Sequence, residues 1–140
     1  SWRIMLRAAA GFVILLVHGC ASTTTSPCGG SQPLGCSIPT AVLVVSKDYE
    51  EQADKFHGAC VTHDLCYRHG EATYGLTRKE CDVEFHDNMK AACSGFKGLG
   101  MLDPEEFAKC QFAAKQTYEA VRTHGEKHFQ SATSTYCAYR

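Results

Sequence analysis

Cys60-Val61-Thr62-His63-Asp64-Leu65-Cys66-Tyr67 is the stretch that decides the fold. On a helix, successive residues step by about 100°. Measured from His63, Cys60 lies at about +60°, Asp64 at about +100°, Cys66 at about −60° and Tyr67 at about +40°. His63 therefore sits between two cysteines, with Asp64 on the Cys60 side. The helical period extends beyond the segment. Phe56, Cys60, His63 and Tyr67 recur at spacings of four, three and four, which marks one face. The pattern predicts a helix over 49–69, ended by Gly70.

Two further helices follow downstream. Thr77, with Glu80 three residues on, has the form of a capping box. Behind it Cys81, Phe85, Met89, Ala92 and Cys93 line an apolar stripe, and Gly95, Gly98 and Gly100 break the helix. Asp103-Pro104-Glu105-Glu106 then supplies a cap, a first-turn proline and a cap-box acid in order. The helix it opens has Phe107, Cys110, Ala114, Tyr118 and Val121 on its apolar face, and Gly125 ends or kinks it. Upstream, 28–46 is rich in Gly, Pro and Ser and reads as a loop. Its apolar run 41–45 is a short buried strand or part of a lipid-facing rim. The expected fold class is all-α: two long antiparallel helices bridged by disulfides, a third packed on them, and an irregular N-terminal loop.

The 140 residues make one domain by length, with a leader in front. Residues 2–7 are a short basic lead, and 8–17 carry no charge. That run is too short to span a bilayer as a helix and has the layout of an export signal. Met5 offers a tidier start to it. Val17-His18-Gly19-Cys20 resembles a bacterial lipobox, in which Cys20 becomes the first residue and is acylated. A plain signal cleaved nearby is the alternative. Residues 21–27 form a polar spacer of the kind that tethers a lipoprotein. The division is then 1–19 signal peptide, 20–27 lipidated tether and 28–140 folded domain. Of nine cysteines, eight remain if Cys20 carries lipid. An even count in a small exported chain reads as four disulfides. The net charge of −1 sets up no long-range attraction to nucleic acid or to an anionic membrane.

The cysteines can act as clamps in different directions. A disulfide from Cys60 to an upstream loop would bring backbone carbonyls toward Asp64. One from Cys66 to Cys81 would bring the second helix toward His63, and Asp82 with it. That arrangement suits ester hydrolysis. An imidazole can take a proton from water near neutral pH. A carboxylate on the other ring nitrogen fixes the tautomer and stabilises the imidazolium. Hard oxygens from Asp64 and loop carbonyls would select calcium, which serves as a Lewis acid.

Cys60-x-x-His63-Asp64-x-Cys66-Tyr67 resembles the active-site signature of secreted phospholipase A2. Cys81-Asp82-x-x-Phe85-x-x-x-Met89 with Cys93 is similar to the second active-site helix of that family's bacterial and fungal branch. Cys110-x-x-Ala113, Tyr118-Glu119-Ala120-Val121 and Gly125 resemble its third helix. The resemblance implies calcium-dependent hydrolysis of the sn-2 acyl ester of glycerophospholipids. It makes His63 the general base, Asp82 its partner, Tyr67 a hydrogen-bonding support near Asp82, and Asp64 a calcium ligand. It implies Cys66–Cys81 and Cys36–Cys60 as disulfides, leaving Cys28–Cys137 and Cys93–Cys110 by elimination. Ala59 stands where many relatives have a second cysteine. The family's glycine-rich calcium loop is replaced by Leu34-Gly35-Cys36-Ser37-Ile38-Pro39. The carbonyls of Gly35 and Ser37 are the candidate ligands there, with Leu34 behind them.

The implied protein is a monomeric, exported hydrolase that meets phospholipid at a membrane surface. It is held at the outer membrane or cell surface by a lipid anchor, or otherwise secreted. A second reading is a catalytically weak or silent envelope lipoprotein with a binding role. A third is zinc held by Cys60, His63 and Cys66, which requires free thiolates. His57, His69, His86, His124 and His128 read as solvent-facing.

Overall fold

The computed structural model describes residues 27–29, 34–36, 47–95 and 103–140. Residues 1–26 lie outside these, and so do the run 41–45, Ser37, Gly98 and Gly100. Among the described residues every regular element is helical, as the periodicity requires.

Helix α1 spans Lys47–Leu65 and carries the decisive stretch. It does not stop at Gly70. A π turn, Cys66–Gly70, leads directly into α2, Glu71–Tyr74. Gly70 has ordinary helical angles, φ −62° and ψ −43°. It is glycine for lack of room, since an added Cβ would lie 2.9 Å from Cys66 Sγ and 3.4 Å from the Tyr139 hydroxyl oxygen. The helix ends instead at Gly75, whose φ of +69° suits a residue without a side chain. The Gly75 N–H closes the turn on the Glu71 carbonyl at 3.0 Å.

Helix α3, Arg78–Gly95, begins as the capping box predicts. Glu80 Oε2 accepts from the Thr77 N–H at 2.8 Å, and Thr77 Oγ1 accepts from the Glu80 N–H at 3.2 Å. Helix α4, Pro104–His124, is capped by Asp103, which accepts from the Glu105 and Glu106 amides. Gly125 ends α4 and starts a short α5, Glu126–Ser131.

Helices α1, α3 and α4 pack around Phe56, Ala59, Phe85, Met89, Ala113 and Ala114, all buried. Helices α1 and α3 run antiparallel, as do α3 and α4. Cys66 pairs with Cys81 while His63, one turn earlier, meets Asp82 and Phe85. Between α3 and α4, Cys93 bonds Cys110 at one end and Asp82 meets Arg122 at the other. The remaining disulfides are Cys36–Cys60 and Cys28–Cys137. Each cross-link removes conformations from the unfolded chain and so stabilises the folded one.

The C-terminal residues double back over the π turn and α2. The Thr135 N–H donates to the Arg68 carbonyl at 3.2 Å and the Cys137 N–H to Thr73 Oγ1 at 2.8 Å. Arg140 pairs with Glu84 and lies over the Tyr74 and Tyr139 rings. This tail buries His69, which the sequence placed in solvent. Its Nδ1 lies 2.8 Å from the Thr135 carbonyl oxygen. His86 is half-buried and stacks on Tyr118 at 4.8 Å. His57, His124 and His128 are exposed.

Candidate active site

The chemistry gathers where α1, α3 and α4 meet. His63 and Tyr67 are one helical turn apart on the inner face of α1, and the Cys66–Cys81 disulfide pulls α3 against them. Asp82 follows Cys81 and is fully buried. Its Oδ1 lies 2.8 Å from His63 Nε2 and accepts from the Tyr67 hydroxyl at 2.6 Å. Its Oδ2 accepts from Arg122 Nη1 at 2.6 Å, and more loosely from Arg78 Nη1 at 3.4 Å. An ionised carboxylate only accepts, so the Asp82 contact places the His63 proton on Nε2 and leaves a lone pair on Nδ1. The imidazole stacks on Phe85 with centroids 4.4 Å apart and rests against Tyr67 at 4.2 Å.

Burial alone would push the Asp82 carboxyl up. Hydrogen bonds from His63, Tyr67 and Arg122 outweigh it and hold the group below its ordinary value. The Tyr67 phenol moves the other way, raised by burial and by the neighbouring Asp82. Tyr67 thus keeps its proton and donates. Gly125 is packed against it: a Cβ there would sit 2.6 Å from the Tyr67 hydroxyl oxygen and overlap the Val121 carbonyl.

Asp64 faces away from this cluster, toward the N-terminal segment. Its Oδ2 accepts from the Gly35 N–H at 3.0 Å. The Cys36–Cys60 disulfide holds that segment on α1. Gly35 has φ +152°, an angle that L side chains rarely adopt. Leu34 is buried behind it. Burial raises the Asp64 carboxyl, and the Gly35 amide, His63 and Arg68 offset this only in part. Among the described residues no cationic side chain forms an ion pair with Asp64.

Conodipine-P3 of Conus purpurascens is 37% identical to this chain over 59 residues. The match covers 42% of this chain and 28% of that protein. No family model matches the chain. No solved structure matches it. Among the described residues the all-helical architecture with four disulfides is consistent with a small phospholipase A2-like fold.

The structure brings His63, Tyr67 and Asp82 together, and Asp64 to Gly35. Ser37 falls outside the described residues, as does Cys20. The zinc reading fails, because Cys60 and Cys66 are both in disulfides. Among the described residues no three His, Cys, Asp or Glu side chains converge on one point. A cation here would rest on Asp64 and main-chain oxygens. Asp64, half-buried and only partly compensated, offers the hard oxygen that calcium takes, while the main-chain contact it makes is with the Gly35 N–H. Sequence reasoning missed Arg122 and Arg78. Arg78 was within reach of a pattern, four residues before Asp82 on one helix. Arg122 gave no such signal.

Proposed function

We propose that the chain is a calcium-dependent hydrolase of the sn-2 acyl ester of glycerophospholipids. The observation that carries this reading is the 2.8 Å contact between His63 Nε2 and the buried Asp82 carboxylate. It supplies an oriented base whose other nitrogen is available. His63 Nδ1 takes a proton from water as the water oxygen attacks the ester carbonyl. The imidazolium is stabilised by Asp82, which Tyr67 and Arg122 keep ionised. The proton then passes to the departing glycerol oxygen, releasing fatty acid and lysophospholipid. Asp64, with main-chain oxygens of Leu34, Gly35 and Ser37, would hold calcium, which would supply positive charge for the developing oxyanion.

Residues 1–19 serve as the export signal in this reading. Cys20 anchors a monomeric chain by lipid, or the chain is released. Among the described residues no helix is long and apolar enough to cross a membrane.

A second reading, a weakly active or silent lipid-binding envelope lipoprotein, has one observation in its favour. At Gly35 the amide N–H faces Asp64, a donor competing with a cation for that carboxylate. One assay separates the two. A phosphatidylcholine with different acyl chains at sn-1 and sn-2 is presented in mixed micelles, with calcium or with chelator. The hydrolase reading expects the sn-2 acid alone, and only with calcium. Micelle binding without release of either acid supports the second reading.

A further inference from the structure

We infer that Arg122, carried by the third long helix, is a positioning residue that fixes the Asp82 carboxylate against His63; the inference rests on the hydrolase reading above. The χ2 torsion of an aspartate is soft and roughly two-fold, so a carboxylate held at one oxygen can turn and exchange the two. Asp82 is fully buried, and its Oδ1 already serves His63 and Tyr67. Without Arg122, Oδ2 would keep only the long 3.4 Å contact from Arg78 Nη1, a gap in the interior that favours rotation or entry of water. Arg122 Nη1 closes this gap at 2.6 Å.

The arrangement is reciprocal between the two helices. Arg78 leaves α3 to donate to the Val121 and Arg122 carbonyls at 3.2 and 3.3 Å, at the end of α4. Arg122 leaves that same end of α4 to donate back to α3. A cation is favoured at a helix C-terminus, where the last carbonyls lack partners. The end of α4 is thereby tied to the carboxylate that orients the base. With Cys93–Cys110 fixing the far end of the same helix pair, α4 becomes part of the catalytic frame.

The test uses Arg122→Met, which keeps the stem but removes the donor, and Arg122→Lys, which restores one. The observed contact is a single N–H on a single oxygen, within an ammonium's capacity. Three quantities are read on the disulfide-bonded protein. They are the downfield proton resonance of His63 Nε2–H, kcat and KM on a dispersed short-chain phospholipid, and the melting temperature. Arg122→Met is expected to lose the resonance and lower kcat about tenfold or more, with KM within about twofold. Arg122→Lys is expected to recover the resonance and bring kcat to within about threefold of the original. The inference is overturned if Arg122→Met keeps resonance and kcat, whatever its melting temperature, or if Arg122→Lys rescues neither. Should the unsubstituted protein release no fatty acid, the hydrolase reading fails by itself. The resonance in the two variants then still decides the positioning role.

Discussion

The Tyr67 hydroxyl lies 2.6 Å from Asp82 Oδ1, the same oxygen that faces the His63 ring. Tyr67 and His63 are therefore joined through a carboxylate on another helix as well as by ring contact. Removing the hydroxyl takes a donor from a buried ionised acceptor. Tyr67→Phe should cost about 1–3 kcal/mol of unfolding free energy. Urea denaturation measures this, and kcat should fall with it.

Gly125 leaves no space for a side chain beneath Tyr67. Gly125→Ala forces the α4–α5 junction or the Tyr67 ring to move, a form of overpacking. The expected loss is about 1–3 kcal/mol, again by urea denaturation. Combined with Tyr67→Phe the loss should be less than additive, because the missing hydroxyl relieves part of the clash.

The acid response follows from Asp82. Its folded pKa lies below the ordinary value of 3.8, so the unfolded chain binds more protons near that pH. The stability this confers is fully present above 3.8 and is lost as pH falls through the lower folded value. Asp82→Asn should flatten the acid limb of the stability curve. It should also cost about 1–3 kcal/mol at neutral pH, since the amide cannot accept at both ends and a donor among His63, Tyr67 and Arg122 loses its acceptor. Chemical denaturation at a series of pH values reads both effects.

Asp64 has the opposite sign. Burial raises its folded pKa above 3.8, so this group's contribution falls as pH rises through that window. Without calcium, Asp64→Asn should therefore melt higher than the unsubstituted protein at neutral pH. Calcium should raise the melting temperature of the unsubstituted protein and leave Asp64→Asn unmoved. Differential scanning calorimetry with and without the cation checks both.

The parts of this molecule legible in its sequence are those set by local rules. The spacing of Phe56, Cys60, His63 and Tyr67 marks a buried helical face, and Thr77 with Glu80 marks a helix start. Asp82 could be placed near His63 because it follows a cysteine one step away. What escaped depends on distant segments. Gly70 looks like a stop signal, but the chain turns through it with ordinary angles, and its lack of a side chain admits Tyr139. His69 is buried by a tail more than sixty residues later, through its contact with Thr135. Arg122 reaches Asp82 across forty residues, a pairing set by the tilt and register of two helices.

The most direct test is the rate of sn-2 fatty-acid release by His63→Gln, on protein shown by near-UV circular dichroism to keep its packing. Glutamine retains a donor toward Asp82 but has no basic nitrogen to take a proton from water. The account predicts loss of release by at least about a thousandfold with the fold intact. Release at the original rate would contradict it.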